Sequence, residues 1–305
     1  MVNLHPETPF FSIVVPVYNR YELVRETIQS ILLQEMQDFE IVIVDDGSND
    51  GSGEKLDSAF GKVPAIRIIH QHNLERGAAR NRGLKDAKGV YVIFLDSDDR
   101  LMTNHLTVLY HKLQSLNFPN FIATKFEFLR DDRKISSDIS KYKEGYYNYR
   151  LFLHGNPLAC NVCIKKNNPN LFLFEEDRKF AIKEDWLFFL QNLRRQELYL
   201  IDDVTLVMLD HPDRSMQGDN KVLISKTQSA KKWILENVEL DAVERRKLDA
   251  HVNYFCAIHS YIDSERINAL RFLSAAFKYG GIKSKYVVLL FKILVGKKIL
   301  NRIKQ

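Results

Sequence analysis

Four short apolar runs in the first hundred residues constrain the fold more than any other feature of this chain. "FFSIVVPV" (10–17), "FEIVIV" (39–44), "AIRIIH" (65–70) and "VYVIFL" (90–95) are rich in β-branched residues and show little polar alternation. A strand with one wet face alternates, whereas a continuous apolar run is buried on both faces. Helical patterns separate the runs. "YELVRETIQSILLQ" repeats Leu23, Ile28, Ile31 and Leu32 at helical spacing, and "RGAARNRGLKDA" (76–87) lies between the third run and the fourth. This alternation predicts an α/β fold with a mostly parallel central sheet flanked by helices. Such sheets bind ligands at the carboxyl ends of their strands. Here those ends carry Tyr18 and Asn19, then Asp45 and Asp46, then Asp96, Asp98 and Asp99.

The pattern changes after residue 100. A helix ("NHLTVLYHKLQSL"), an aromatic strand ("NFIATKFEFL"), a polar loop near 130–145, a helix ("KEDWLFFLQNLRR") and strands near 197–209 are expected. From about 220 the pattern is all helical. The predicted organisation is a main domain over 1–215, in halves of about 10–100 and 101–215, and a helical region over 216–305. With 45% hydrophobic and 27% charged residues the chain has the means to build a packed core. Cys160 and Cys163 form a C-x-x-C spacing, but Cys256 stands alone, so two small core residues is the better reading than zinc.

The formal charge of +5 is uneven. Ten Lys/Arg and no Asp/Glu lie between Arg266 and Gln305. Removing those ten from the 44 leaves 34 basic against 39 acidic residues over 1–265, a net −5. The basic residues gather in a tail with apolar stripes, which speaks against nucleic-acid binding. Residues 1–9 carry neither the basic nor the apolar region of a secretory signal, and no apolar run reaches bilayer length. The expected location is the cytoplasm, with peripheral contact at the inner face of its membrane.

Three motifs carry chemistry. "DDGSNDGSG" (45–53) lacks the glycine spacing of a dinucleotide loop and the lysine of a P-loop. It reads as a turn, or as a turn that presents a carboxylate to a ligand N–H. "DSDD" (96–99) puts three carboxylates in four residues after a buried strand. It reads as a solvated acidic turn or as a site for a hard divalent cation, whose charge would offset the mutual repulsion. In "KEDWLFFL" (183–190), Glu184 and Asp185 fall in the first turn of a helix. The helix dipole accounts for them there, and a catalytic base is the alternative.

In order and spacing, "SIVVPVYNR", "IVIVDDGSNDGS", "RGAARNRGL", "YVIFLDSDD" and "KEDWLFF" resemble the family 2 glycosyltransferases of the GT-A fold. The resemblance spans roughly residues 10–212 and is thin between Met102 and Ile182. It implies a nucleotide-binding half and an acceptor-binding half. Tyr18 would lie against the nucleobase, Pro16 would shape the adjoining loop, and Asp46, supported by Asp45, would face a pyrimidine N3–H. Arg80 would lie near the nucleotide, with a solvated helix face as the other reading. The family's D-x-D maps onto Asp96, Ser97 and Asp98, which would hold Mg²⁺ or Mn²⁺ against the donor diphosphate and reach the ribose. Asp185 would be the base, and Glu184 would position the acceptor. His211 would lie near the diphosphate and metal, and Arg214 near a phosphate, although a surface loop also accounts for His211.

The expected function is therefore an inverting, metal-dependent transferase. It would move sugar from a nucleotide-sugar, a UDP-sugar for preference, to a glycan or lipid-linked acceptor. The alternatives are a nucleotidyltransferase and a GT-A-like module that binds sugar nucleotide or membrane without catalysis. An oligomer is compatible with this reading. The tail, 266–305, is expected to lie on an anionic membrane or to pack on protein.

Overall fold

The computed structural model describes residues 8–211 and 218–296. β1 (Phe11–Val17), α1 (Tyr21–Leu32), β2 (Phe39–Asp45), α2 (Ser52–Phe60), β3 (Ile66–His70), α3 (Glu75–Asp86) and β4 (Tyr91–Phe94) follow the predicted alternation. β1 lies between β2 and β4, β3 flanks β2, and all three pairings are parallel. Every residue of β1 and of β4 is buried, as expected for strands covered on both faces. β5 (Asp99–Leu101), α4 (His105–Ser115), β6 (Phe121–Arg130), β7 (Arg133–Ser136), β8 (Gly145–Tyr147), β9 (Val162–Lys165), α5 (Glu184–Asn192) and β10 (Leu198–Leu209) complete this part.

The sheet runs β3-β2-β1-β4-β9-β6-β10-β5, with β7 and β8 paired to β6 and β10. β9 is antiparallel to β4 and β6, so the sheet is parallel in its first half and mixed beyond. The sequence reading missed β9, whose four residues are too few to show a period. It also missed β5, which begins inside the acidic run. Cys160 and Cys163 are buried, free thiols.

α3 approaches the sheet through Gly83. A Cβ there would meet Val14 Cγ1 at 2.2 Å. Val14 is β-branched and fully buried, so it cannot swing away. Gly83→Ala is expected to destabilise the protein by about 1–3 kcal/mol, overpacking outweighing alanine's better helix propensity. Urea unfolding measures this, and an unchanged midpoint would contradict the close approach.

The chain divides into two compact units. One comprises residues up to Tyr149 together with Pro157–His211; the other takes in Arg150–Asn156 and the C-terminal helices. The second contains α6 (Asn220–Asn237), α7 (Ala242–Ile262), α8 (Arg266–Gly280) and α9 (Ser284–Val295). Asp219 caps α6, and Asp241 with Glu244 forms a capping box on α7. Ala257, Ala269, Leu273, Ala276, Tyr286, Leu289 and Ile293 form a core between α7, α8 and α9. Among the described residues, no helix is long and apolar enough to cross a membrane.

Candidate active site

The site begins where β1 and β2 end side by side, with Val17 in register with Asp45. Pro16 lies within β1 opposite Val44, ahead of the turn. The turn starts at Asn19, whose φ is 51°. Asn19 is laced to the facing loop: its N–H donates to Ser48 Oγ at 2.9 Å, and its amide exchanges bonds with Asn49. This lacing fixes the base of Tyr18, whose side chain is 41% exposed. An exposed aromatic on an ordered turn offers a stacking face.

Asp45 and Asp46 are equally buried, but their surroundings differ. Asp45 accepts the Ser48 N–H and pairs with His70 Nδ1 at 2.9 Å. His70 is the last residue of β3. Its other nitrogen meets Asp57 at 3.1 Å. Its hydrogen bond to Asp45 foremost, with Asp57 assisting, raises the imidazole pKa against the opposing effect of burial. Asp45 is thus committed to the frame. Asp46 uses one oxygen, Oδ1, for Gln71 Nε2 at 2.7 Å and the Leu74 N–H at 2.9 Å. Its second oxygen takes no hydrogen bond from the described residues and remains available to a donor.

The acidic run is a tight turn in which the Asp99 N–H donates to the Asp96 carbonyl at 3.1 Å. One carboxylate oxygen from each of Asp96, Asp98 and Asp99 lies within 4.8 Å of the others. Ser97, between them, is buried. Like charges this close need compensation, and the protein supplies part of it. Arg80 Nη2 donates to Asp96 at 2.6 Å. Arg20 Nη1 reaches Asp98 at 3.4 Å, and His211 Nε2 lies 2.9 Å from the same Asp98 oxygen. His211 arrives there because β5 pairs with β10, Asp99 opposite Met208, which sets the end of β10 beside the acidic turn.

Arg80 is 2% exposed, so the reading of a solvated helix face is corrected. Its second amino group, Nη1, donates to Glu184 at 2.7 Å, and its guanidinium lies 5.4 Å from the centre of the Phe174 ring. Phe174 in turn stacks on Phe188 at 4.1 Å and meets Phe94 edge-on at 5.0 Å. This aromatic floor joins the end of β4 to α5. One guanidinium therefore spans from the acidic turn to the first turn of α5.

Glu184 is also 2% exposed and bonded to Arg80, with Arg76 3.8 Å away. The sequence reading expects it to position the acceptor, and in this structure one of its oxygens is bonded to Arg80. Asp185 is half-buried and accepts the Trp186 N–H at 2.7 Å. Burial foremost, then the neighbouring Glu184, pushes its carboxyl up to about 6 against the pull of Arg80 and Lys183. A carboxyl titrating there can take a proton near neutral pH. Arg20, His70, Gln71 and Phe174 were not singled out from sequence. Arg20, directly after the "VYN" turn, had a positional signal; the others had none. Arg214 lies outside the described residues.

The profile described as "Glycosyl transferase family 2" matches residues 12–165. An uncharacterized glycosyltransferase of Rickettsia felis is 36% identical over 171 residues, covering 54% of this chain and 27% of its own. Glycosyltransferase GlyG of Streptococcus pneumoniae is 37% identical over 122 residues, 40% of each chain. The chain thus spans well under half the length of these curated relatives. S. aureus TarS 1-349 in complex with UDP-GlcNAc superposes with a TM-score of 0.67 at 20% identity, over 94% of this chain and 87% of that one. At that identity the likeness shows a shared fold.

Proposed function

Because the chain belongs to glycosyl transferase family 2, we propose that it is an inverting glycosyltransferase whose donor is a UDP-sugar and whose acceptor is a hydroxyl of a glycan or lipid-linked glycan. The observation that carries this is the Arg80 bridge: one guanidinium is bonded to Asp96 of the acidic turn and to Glu184, the sequence neighbour of Asp185, whose carboxyl is raised to about 6. The UDP-GlcNAc held by the similarly folded TarS supports the choice of donor.

Tyr18 stacks on the nucleobase, worth about 1–3 kcal/mol. Asp46 accepts the base N3–H through its open oxygen, which selects uracil over cytosine. Asp45, His70 and Gln71 hold that reading surface in place. The three aspartates offer a hard-oxygen donor set that fits Mg²⁺ or Mn²⁺, with Asp96 and Asp98 as ligands and His211 beside them. When bound, such an ion would neutralise charge gathering on the departing diphosphate. Asp185 takes the proton of the acceptor hydroxyl as its oxygen attacks the anomeric carbon, and one displacement inverts that centre. Arg80 and Glu184 orient Asp96 and the first turn of α5.

A screen of donor turnover across UDP-, GDP- and dTDP-sugars tests the reading. UDP release from a UDP-sugar with acceptor present is expected, and turnover of GDP-sugars alone would overturn it. Asp46→Ala is expected to weaken UDP binding by about 1–3 kcal/mol, the usual cost of losing a buried hydrogen-bond partner. Calorimetry measures it, and equal wild-type affinity for CDP and UDP would contradict the assignment.

A further inference from the structure

α9 is apolar on two sides. Tyr286, Leu289 and Ile293 point into the core shared with α7 and α8. Val287, Val288, Phe291 and Leu294 are 48%, 51%, 60% and 57% exposed. Their spacing makes a second stripe, away from the buried one. A surface helix of a monomeric protein normally turns polar residues outward, and contiguous exposed apolar side chains mark a contact surface. Ile282, in the turn before α9, and Ile267, in the first turn of α8, are 87% and 84% exposed. The Arg266 side chain donates to the Leu294 carbonyl at 3.0 Å, so the start of α8 lies beside the end of α9. The apolar positions thus belong to one helical hairpin.

The charge carried by the hairpin's own side chains has one sign. Arg266, Arg271, Lys278, Lys283, Lys285 and Lys292 are all exposed, and no Asp or Glu occurs over 266–305. Lys285 and Lys292, seven residues apart, lie together along one flank of the α9 stripe. We propose that the α8–α9 hairpin docks on an anionic lipid bilayer, with Val287, Phe291 and Leu294 entering the acyl boundary and the lysines meeting lipid phosphates.

Charge decides between occupants. A second copy pairing through this face would press two uniformly basic hairpins together, and like charges across an interface oppose association. An anionic bilayer complements both features at once, apolar depth and negative surface. The inference is independent of the transfer chemistry, because it rests on a different unit of the chain.

The test is co-sedimentation of the full chain with phosphatidylcholine vesicles, with and without phosphatidylglycerol, at low and physiological salt. Binding to the anionic vesicles that weakens with salt is expected. Lys285→Gln with Lys292→Gln should lower it about 10- to 30-fold, and Phe291→Asp should lower it at least as far, with UDP affinity and helical circular dichroism unchanged. The proposal is overturned if the wild type ignores anionic vesicles at low salt. It is equally overturned if either variant binds like wild type, or if sedimentation shows a dimer that Phe291→Asp dissolves.

Discussion

Asp98→Ala should yield a folded protein with transfer lowered about 10³-fold or more. The size follows from the role. Neutralising charge on a departing diphosphate is worth several kcal/mol, and each 1.4 kcal/mol is a factor of ten in rate. Asp98 is one of three carboxylates whose oxygens converge within 4.8 Å, and Arg20 and His211 both reach its Oδ2. Removing it leaves those two partners near solvent, 25% and 17% exposed, so little folding cost is expected. The measurement is transfer rate against Mg²⁺ and Mn²⁺ concentration, with circular dichroism as control. Full activity of the wild type in EDTA, or of Asp98→Ala, would sink the metal assignment.

Asp185→Asn should lower transfer by about 10²–10⁴, the range for loss of a general base, while UDP affinity stays within a factor of two or so. Asparagine keeps the shape and can still accept the Trp186 N–H, but it cannot take a proton. The wild type should show an acid limb in kcat/KM near pH 6, where burial and Glu184 place the carboxyl. The limb should be absent from the residual activity of the variant. The stability sign is opposite to that of a salt-bridged carboxylate. A folded pKa above the unfolded value near 3.9 means the native state holds the extra proton between about pH 4 and 6. This group's contribution to stability therefore falls as pH rises through that window. Asp185→Asn should be no less stable than wild type at pH 7, and equal loss of UDP binding and transfer would reveal a donor-site residue instead.

Much of the fold was legible because it is written in local pattern. β1, β2, β3 and β4 came from continuous β-branched runs, and α1, α3 and α5 from helical spacing. Burial on both faces imposes such runs on parallel strands, so the pattern and its cause are inseparable. β5, β8 and β9, of three, three and four residues, escaped because so short a strand has no measurable period. Their places in the sheet come from pairing with strands far along the chain.

By itself the sequence determined where the carboxylates would gather: a parallel sheet puts its polar residues at its carboxyl edge, and the order of strands sets Tyr18, Asp46 and Asp96 there. Only the tertiary structure decided what each contacts. Asp45 and Asp46 are adjacent and equally buried, yet His70 occupies the first and leaves an oxygen of the second open. Arg80 joins residues 16 and 104 positions away, and His211 meets Asp98 across 113. The apolar residues of α9 likewise read as one set in the sequence, until packing against α7 and α8 buried Tyr286, Leu289 and Ile293 and left Val287, Val288, Phe291 and Leu294 facing out. The physical reason is common to all of these. Periodicity records which side of an element is apolar, whereas hydrogen bonds, ion pairs and pKa values depend on which groups distant elements bring within a few ångströms, and on how much water remains between them.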